Sequence, residues 1–193
     1  MDKKNKNITD EEIVQNIVIN NHTSDFGILY DRYAQKVYNK TISLVKDRDN
    51  AQDCLHDIFL KAYINLKSFK GKSKFSSWLF SLTYNFCIDY LRKTNVISTE
   101  VVVDEIIDTD DIDAGKEENK LFEIKSEMLS IILEQITIEN KVILLMKYQD
   151  DMKISEIGES LKIGDSAVKM RLKRARDSVF EIYKKNFVKK LYK

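Results

Sequence analysis

Five basic side chains fall within eight residues around position 170. They are Lys169, Arg171, Lys173, Arg174 and Arg176. Lysine and arginine at this density pair with phosphates, and arginine also donates hydrogen bonds to the edges of bases. A solvated basic helix face has the same composition, so the charges alone leave both interpretations open.

The residues around this basic cluster predict the elements that present it. Apolar residues at offsets of 4, 7, 11 and 14 form one stripe of a helix: Val168, Leu172, Ala175, Val179 and Ile182. A shorter helix over residues 154–161 precedes it, and residues 162–164 form the turn between them. Two helices joined by three residues predict a helix-turn-helix, which favours binding of duplex DNA over a merely solvated face.

A second group of side chains combines acids with an exposed leucine on a helix predicted over residues 50–66. At offsets of 3, 4 and 7 along one side stand Asp53, His56, Asp57 and Leu60. The side predicted to be buried consists of Cys54, Leu55, Ile58, Phe59, Ala62, Tyr63 and Leu66. Acids around a leucine predict a surface that docks on a partner protein, although an ordinary solvated face has the same spacing.

A third group alternates lysines with small residues in a loop between Phe69 and Phe75. The lysines are Lys70, Lys72 and Lys74. A helix over residues 76–93 follows, with one side formed by Ser81, Asn85, Asp89 and Arg92. Cations interleaved with aromatic rings suit single-stranded nucleic acid, because bases stack on the rings while phosphates pair with the lysines. Aromatic side chains also build protein cores, and we expect Trp78 and Phe86 to lie in the core.

No motif in the chain supplies the chemistry of an enzyme. The sequence has no phosphate-binding glycine loop, no nucleophile elbow and no paired metal motif, and five glycines leave little material for one. Cys54 and His56 would need His22 and Cys87 to complete a zinc site, so we expect both cysteines to pack as small apolar residues. We therefore predict a non-enzymatic protein with no cofactor and no metal.

Composition and patterning predict an all-α protein made of two small helical domains. Proline is absent from the 193 residues, where average usage would give about ten. The lack of breakers disfavours turn-rich sandwiches and barrels. Besides the helices already named, periodicity predicts helices over residues 9–20, 24–46, 121–135 and 139–149. The first of these begins with a capping-box pattern formed by Thr9 and Glu12.

Charge divides the chain into two basic halves and an acidic connector. Residues 24–93 and 120–193 each carry a net charge of +5, whereas residues 94–119 carry −8. We expect residues 1–93 and 120–193 to be the two domains, with a flexible linker over residues 94–119. Two basic domains predict a polyanionic partner.

Nothing in the sequence predicts membrane insertion or secretion. No apolar run approaches the roughly 20 residues that a membrane-spanning helix needs. The first twelve residues hold no apolar stretch after their lysines. Because two cysteines are too few for a disulfide framework, we expect a protein of the reducing cytoplasm.

With these elements in place, the chain resembles the extracytoplasmic-function class of bacterial RNA polymerase sigma factors over nearly its full length. The resemblance to the family's region 2 is carried by Asp53, Asp57, Phe59, Phe69, Trp78, Leu79, Asn85, Asp89 and Arg92. The resemblance to region 4 is carried by Glu156, Ile157, Val168, Lys169, Arg171, Leu172, Arg174, Ala175 and Arg176. Either half alone is a weak signal, whereas both in this order, with a linker between them, are specific.

The resemblance implies a promoter-specificity subunit that binds core RNA polymerase and performs no bond chemistry. By analogy with the family, the clamp coiled coil of polymerase would be bound by Asp53, His56, Asp57 and Leu60. The unwound non-template strand of the −10 element would be read by Phe69, Lys70, Lys72, Lys74, Asn85 and Arg92. The −35 element would be read as duplex by Ser166, Lys169, Met170, Arg171, Lys173, Arg174 and Arg176.

The resemblance also bears on regulation and on the linker. Many members of the class are held inactive by an anti-sigma factor, and both basic halves offer surfaces that such a partner would mask. The acidic linker would either imitate a polyanion in the RNA channel of polymerase or serve as a solvated tether. Two rival interpretations of the residues are a helix-turn-helix regulator that acts without polymerase and an adaptor that binds only protein.

Five positions depart from the family's pattern. His56 stands where glutamine is common, and Thr137 replaces a usual proline. Ala167 and Met170 stand where threonine and serine are frequent, which removes two hydroxyls that would meet phosphates. Gly158 replaces a usual alanine, which predicts a first helix of the motif that is less stable by about 1 kcal/mol. The promoter preference of the family therefore does not carry over.

Overall fold

The computed structural model describes residues 8–94, 124 and 126–188, and all the regular elements in these ranges are helical. The chain divides into two compact units between residues 98 and 99. The first unit contains α1 (Asp10–Asn20), α2 (Phe26–Val45), α3 (Arg48–Asn65) and α4 (Phe75–Lys93). The second unit contains α5 (Ser126–Leu133), α6 (Ile138–Leu144), α7 (Ile154–Leu161) and α8 (Asp165–Tyr183). The predicted all-α class is confirmed.

Some predictions fall partly or wholly outside the described residues. Of the predicted acidic linker, only Thr94 belongs to the described residues. Of the first five residues of the helix predicted over residues 121–135, only Ile124 does. Within the described ranges, no helix has both the length and the hydropathy to cross a bilayer.

Helix α1 begins at the capping box predicted from the sequence. Oγ1 of Thr9 accepts a hydrogen bond from the backbone N–H of Glu12 at 3.2 Å. In return, the Glu12 carboxylate accepts one from the Thr9 N–H at 2.8 Å. These two bonds satisfy N–H groups that a helix start otherwise leaves without partners, so α1 begins at a defined residue.

Helices α2, α3 and α4 pack around the core of the first unit. Its fully enclosed side chains include Leu29, Val37, Ala51, Ile58, Ala62, Leu79, Tyr84 and Cys87. Enclosing a large apolar side chain of this kind stabilises a fold by about 1.5 to 3 kcal/mol. Asp47 fixes the start of α3, because its Oδ1 accepts a hydrogen bond from the Asn50 N–H at 2.8 Å. A 3₁₀ turn, Leu66–Ser68, ends α3 and leads into residues 69–74.

The second unit is built around the apolar stripe of α8. Val168, Leu172, Ala175 and Val179 are buried as predicted, while Ile182 is half-buried. At the start of α6, Oγ1 of Thr137 accepts a hydrogen bond from the Asn140 N–H at 3.3 Å. The threonine that replaces the family's proline therefore caps the helix. Helix α6 runs on into a wide π-helical turn, Leu145–Gln149, in which Met146 is buried.

The turn between α7 and α8 lies directly against Gly158. The Ile163 N–H donates a hydrogen bond to the Gly158 carbonyl at 3.0 Å. A Cβ atom on Gly158 would lie 2.8 Å from the carbonyl oxygen of Ile163 and 3.6 Å from a methyl carbon of Val168. Helix propensity alone counts this glycine as a loss of stability. The missing side chain, however, leaves room for the carbonyl of the turn, so the glycine also stabilises the helix-turn-helix.

We expect Gly158→Ala to destabilise the second unit. The gain in helix propensity is about 1 kcal/mol, but the new methyl group displaces a backbone carbonyl, and overpacking of this kind costs about 1 to 3 kcal/mol. Thermal unfolding followed by circular dichroism should show a lower midpoint. Gly27→Ala is the control, because nothing lies within 4 Å of its Cβ position, and it should leave the midpoint unchanged or raise it. A higher midpoint for Gly158→Ala would contradict the predicted overpacking.

Candidate protein and nucleic-acid interfaces

One side of α3 is exposed and carries the predicted docking residues. All four are exposed, namely Asp53, His56, Asp57 and Leu60. Leu60 shows 59% of its surface to solvent, while other side chains of the same helix are buried in the core. These side chains lie within two helical turns, about 10 Å apart along the axis. We call this surface the α3 face.

Two further apolar residues extend the α3 face, and the sequence reasoning missed both. Ile64 follows Leu60 by one turn and is 68% exposed. Tyr63, predicted to be buried, is 39% exposed, and its ring packs edge-on against Phe26, at 5.0 Å between centroids. The signal for Ile64 was available in its spacing of four residues from Leu60.

The lysine loop rests on a cluster of three aromatic rings. The Phe69 ring packs against Phe75 at 5.8 Å and against Trp78 at 5.7 Å between centroids. Phe75 is buried, whereas Phe69 and Trp78 are half-buried at the edge of the core. Lys70, Lys72 and Lys74 are exposed beside these rings. The loop therefore presents three cations next to a partly accessible aromatic surface.

The predicted −10 residues on α4 lie farther along the same unit. Asn85 and Arg92 are half-buried. At 1.5 Å per residue they stand about 16 Å and about 27 Å beyond Lys74 along the helix axis. Phe86, predicted to lie in the core, is also half-buried, and the Lys61 ammonium lies 5.7 Å from its ring centroid. A ligand that touched both the lysine loop and Arg92 would have to run along α4.

Helix α8 turns a basic side away from its buried stripe. Ser166 and Lys169 are exposed, and the half-buried residues are Met170, Arg171, Lys173 and Arg174. The helix-turn-helix predicted from the sequence is present, with α7 and α8 joined by residues 162–164. An exposed basic helix held by a preceding short helix has the geometry that enters the major groove of DNA.

Arg176 does not belong to this basic side. Only 6% of its surface is exposed, and its guanidinium donates a hydrogen bond to the Tyr148 hydroxyl at 3.3 Å. It follows Leu172 by one turn and Ala175 by one residue, so the flank of the buried stripe carries it inward. The prediction that Arg176 contacts DNA is therefore corrected: this arginine ties α8 to the turn after α6.

Both cysteines are buried and predicted to be unreactive. Burial, the main cause, raises the pKa of the Cys54 thiol to about 11 and that of the Cys87 thiol to about 12. His56 is exposed while Cys54 is buried, so their C-x-H spacing does not bring the two side chains together. Among the described residues, no cluster of three or more cysteine, histidine or acidic side chains is arranged to hold a metal ion.

We expect both thiols to react very slowly with iodoacetamide in the folded chain. A free cysteine has a pKa of about 8.5, so the pKa of about 11 for Cys54 lowers its reactive thiolate at pH 8 roughly 240-fold. Alkylation followed by mass spectrometry should show rates that rise as the pH approaches 11. The neutral thiols stabilise the fold below about pH 8.5, and this contribution declines as the pH rises towards 11 to 12. The urea-unfolded chain is the control, and equal rates in both states would contradict burial.

Two family models match the chain. Sigma-70 region 2 matches residues 29–96, and sigma-70, region 4 matches residues 127–179. The ECF RNA polymerase sigma factor SigX of Bacillus subtilis is 26% identical over 147 residues, which cover 75% of this chain and 76% of SigX. SigW of the same organism is 27% identical over 169 residues, which cover 80% of this chain and 86% of SigW. The chain belongs to the extracytoplasmic-function class of RNA polymerase sigma factors.

Two solved structures share the fold of this chain. The sigma factor RpoE of Bartonella quintana, in complex with the anti-sigma factor NepR, aligns with a TM-score of 0.58 at 18% identity, covering 84% of this chain and 98% of that one. CnrH, in complex with the cytosolic domain of CnrY, aligns with a TM-score of 0.59 at 17% identity, covering 90% and 97%. As a sigma factor, this chain binds core RNA polymerase and directs promoter-specific transcription initiation.

Proposed function

We propose that this sigma factor docks on core polymerase through the α3 face. The observation that carries the proposal is the pair of exposed apolar side chains, Leu60 and Ile64, one turn apart. Contiguous apolar surface of this kind marks protein interfaces. Asp53 and Asp57 lie on the same side of the helix, where their charges would steer the encounter with a basic patch on the partner.

The lysine loop and α4 form the surface that we assign to the −10 element. Phe69 is the ring on which an unstacked base would rest, while the three loop lysines would pair with phosphates. The non-template strand would then run along α4 towards Asn85 and Arg92. Extracting a base from the duplex costs a few kcal/mol, and binding on this surface would offset that cost.

Helix α8 is the reader that we assign to the −35 element. The contacts would come from Ser166, Lys169, Met170, Arg171, Lys173 and Arg174. Arginine and lysine in this position donate to phosphates and to the major-groove edge of guanine. Arg176 is left out of the set because it is buried.

We assign one function to each of the predicted domains. Residues 1–93 would form region 2, residues 94–119 the linker and residues 120–193 region 4. The sigma factor would supply only binding and strand capture, and the polymerase would supply all bond chemistry. It would act in the bacterial cytoplasm, where its polymerase is.

An anti-sigma factor is a further partner that we propose. RpoE, which shares the fold, was solved with the anti-sigma factor NepR, and CnrH, which also shares it, was solved with the cytosolic domain of CnrY. A partner that covered the α3 face would block docking on polymerase, and one that covered α8 would block the −35 contacts. Holding the sigma factor inactive requires only one of these surfaces.

The experiment that tests the proposal combines core binding with transcription. Purified sigma factor is titrated into fluorescently labelled bacterial core polymerase, and the holoenzyme then transcribes a pool of genomic promoter fragments. The expected result is saturable binding and new start sites that appear only when the sigma factor is added. Aligning the DNA upstream of these starts would reveal the two promoter elements.

The same experiment separates the rival that acts without polymerase. A conventional helix-turn-helix regulator would bind duplex DNA tightly by itself and would not bind core. Absence of core binding would overturn the assignment of the α3 face. Core binding without new start sites would overturn the assignments of the loop and of α8.

A further inference from the structure

Helix α4 begins without a cap from its own sequence. Lys74 occupies the N-cap position and makes no side-chain hydrogen bond to the first turn, and that turn contains no acidic residue. The start of a helix carries partial positive charge and backbone N–H groups without helical partners. Three lysines lie at or just before this start, which adds to the positive charge.

The missing cap is supplied from α1, 64 residues earlier in the chain. Oε1 of Glu11 accepts a hydrogen bond from the backbone N–H of Phe75 at 3.0 Å. Glu11 lies before residues 29–96, the range that the region 2 model matches. A carboxylate at a helix N-terminus is favoured by the helix dipole and by the charge-assisted hydrogen bond.

The neighbouring residue, Asp10, anchors the first turn of α1 against α2. Asp10 accepts a hydrogen bond from the Arg32 guanidinium at 2.6 Å and another from the Tyr33 hydroxyl. The Tyr33 ring in turn packs edge-on against Phe75, at 5.6 Å between centroids. Two independent interactions therefore run from the first turn of α1 to the same residue of α4.

Phe75 connects this anchor to the proposed promoter-reading loop. Its ring contacts both Phe69, at 5.8 Å, and Trp78, at 5.7 Å. We propose that Glu11 is a positioning residue for the −10 strand: it caps α4, fixes Phe75 and thereby holds the Phe69 ring and the lysine loop in the geometry that receives DNA. The inference rests on the proposed role of the loop.

Four variants separate the effect of side-chain length at position 11 from the effect of its charge. Glu11→Ala removes both, Glu11→Gln keeps an oxygen at the same reach without charge, and Glu11→Asp keeps the charge but shortens the reach. Glu12→Gln is the matched control, because it removes one charge from the adjacent position while glutamine still completes the capping box with Thr9. Asp remains acceptable in the first turn of a helix, so Glu11→Asp keeps the test decisive even where Glu11→Ala fails to fold.

The measurement uses holoenzyme and a fork-junction oligonucleotide from the strongest start site found in the transcription experiment. Without the cap, DNA binding must first order the start of α4 and the loop. The typical cost of losing a cap corresponds to about fivefold in affinity, so Glu11→Ala and Glu11→Asp should bind the fork about fivefold more weakly. Glu11→Gln keeps the hydrogen bond but loses its charge assistance, so its affinity should fall between those of Glu11→Ala and the unaltered chain. Glu12→Gln should stay within about twofold of the unaltered chain. Affinity for core and for a fully duplex −35 probe should not change in any variant. A general folding defect would weaken these two affinities as well, so unchanged values assign the loss to the loop.

Trp78 provides a second readout, since it is the single tryptophan of the chain. Its fluorescence should shift to longer wavelength in Glu11→Ala and Glu11→Asp, where the aromatic cluster loosens, and stay unchanged in Glu12→Gln. If Glu11→Ala and Glu11→Asp bind the fork as tightly as Glu12→Gln, or more tightly, the positioning role is wrong; tighter binding would mean that the carboxylate repels DNA. If the unaltered holoenzyme gives no start sites, the proposed function has failed instead.

Discussion

Replacing Leu60 and Ile64 together with glutamate should abolish stable binding to core polymerase. Both side chains are exposed, at 59% and 68%, so the double variant should fold. An apolar anchor at the centre of an interface contributes about 2 kcal/mol or more. Losing two anchors and adding two buried charges should therefore weaken the affinity at least 100-fold, by about 2.7 kcal/mol or more.

Fluorescence titration of labelled core measures this loss. The matched control replaces Ile19 and Ile131 with glutamate, because these residues are also large, apolar and exposed, at 68% and 51%, but lie on α1 and α5. The control adds the same charge and should bind core normally. Equal affinities for the two double variants, with unchanged circular dichroism, would place the docking surface somewhere other than the α3 face.

Replacing Lys169 and Arg171 with alanine should remove −35 recognition while leaving core binding intact. Each interaction with a phosphate or a base edge is worth about 1 to 3 kcal/mol, so duplex binding should fall about 100-fold. The dependence on salt should also flatten, by about one unit of the log–log slope for each phosphate that the helix no longer neutralises. Electrophoretic mobility of holoenzyme on duplex promoter DNA at several salt concentrations gives both quantities.

The control for this pair replaces Lys184 and Lys185 with alanine. Both lysines are exposed and lie just after α8, about 23 Å from Lys169 along the helix. Their replacement removes the same charge from the same unit, so start-site selection should not change. An adaptor that binds only protein would lose nothing in either variant, and that outcome would refute the DNA-reading role of α8.

The sequence predicted best those features that depend on near neighbours. Thr9 and Glu12 marked the start of α1 because a capping box is closed within four residues. The stripe from Val168 to Val179 was readable because the helical period decides which residues share a face. The exposed acids of α3 followed from the same periodicity.

The features that the sequence hid depend on residues far away in the chain. Arg176 lies on the flank of the buried stripe, but its hydrogen-bond partner, Tyr148, stands 28 positions earlier, and no local pattern reveals that partner. Gly158 is required because the carbonyl of Ile163 in the following turn lies where a Cβ atom would be. Helix propensity alone predicted that alanine would be more stable at this position. Glu11 caps a helix 64 residues later, and its own neighbourhood looks like an ordinary acidic first turn.

The burial of both native thiols makes this chain suitable for optical distance measurements. Lys67 just before the loop and Glu159 on α7 are accessible to solvent and lie in different units. In a Lys67→Cys, Glu159→Cys variant, the two introduced thiols would take up a donor and an acceptor dye while Cys54 and Cys87 stayed unlabelled. Energy transfer would then follow the separation of the two DNA-reading surfaces as the sigma factor joins polymerase and opens a promoter.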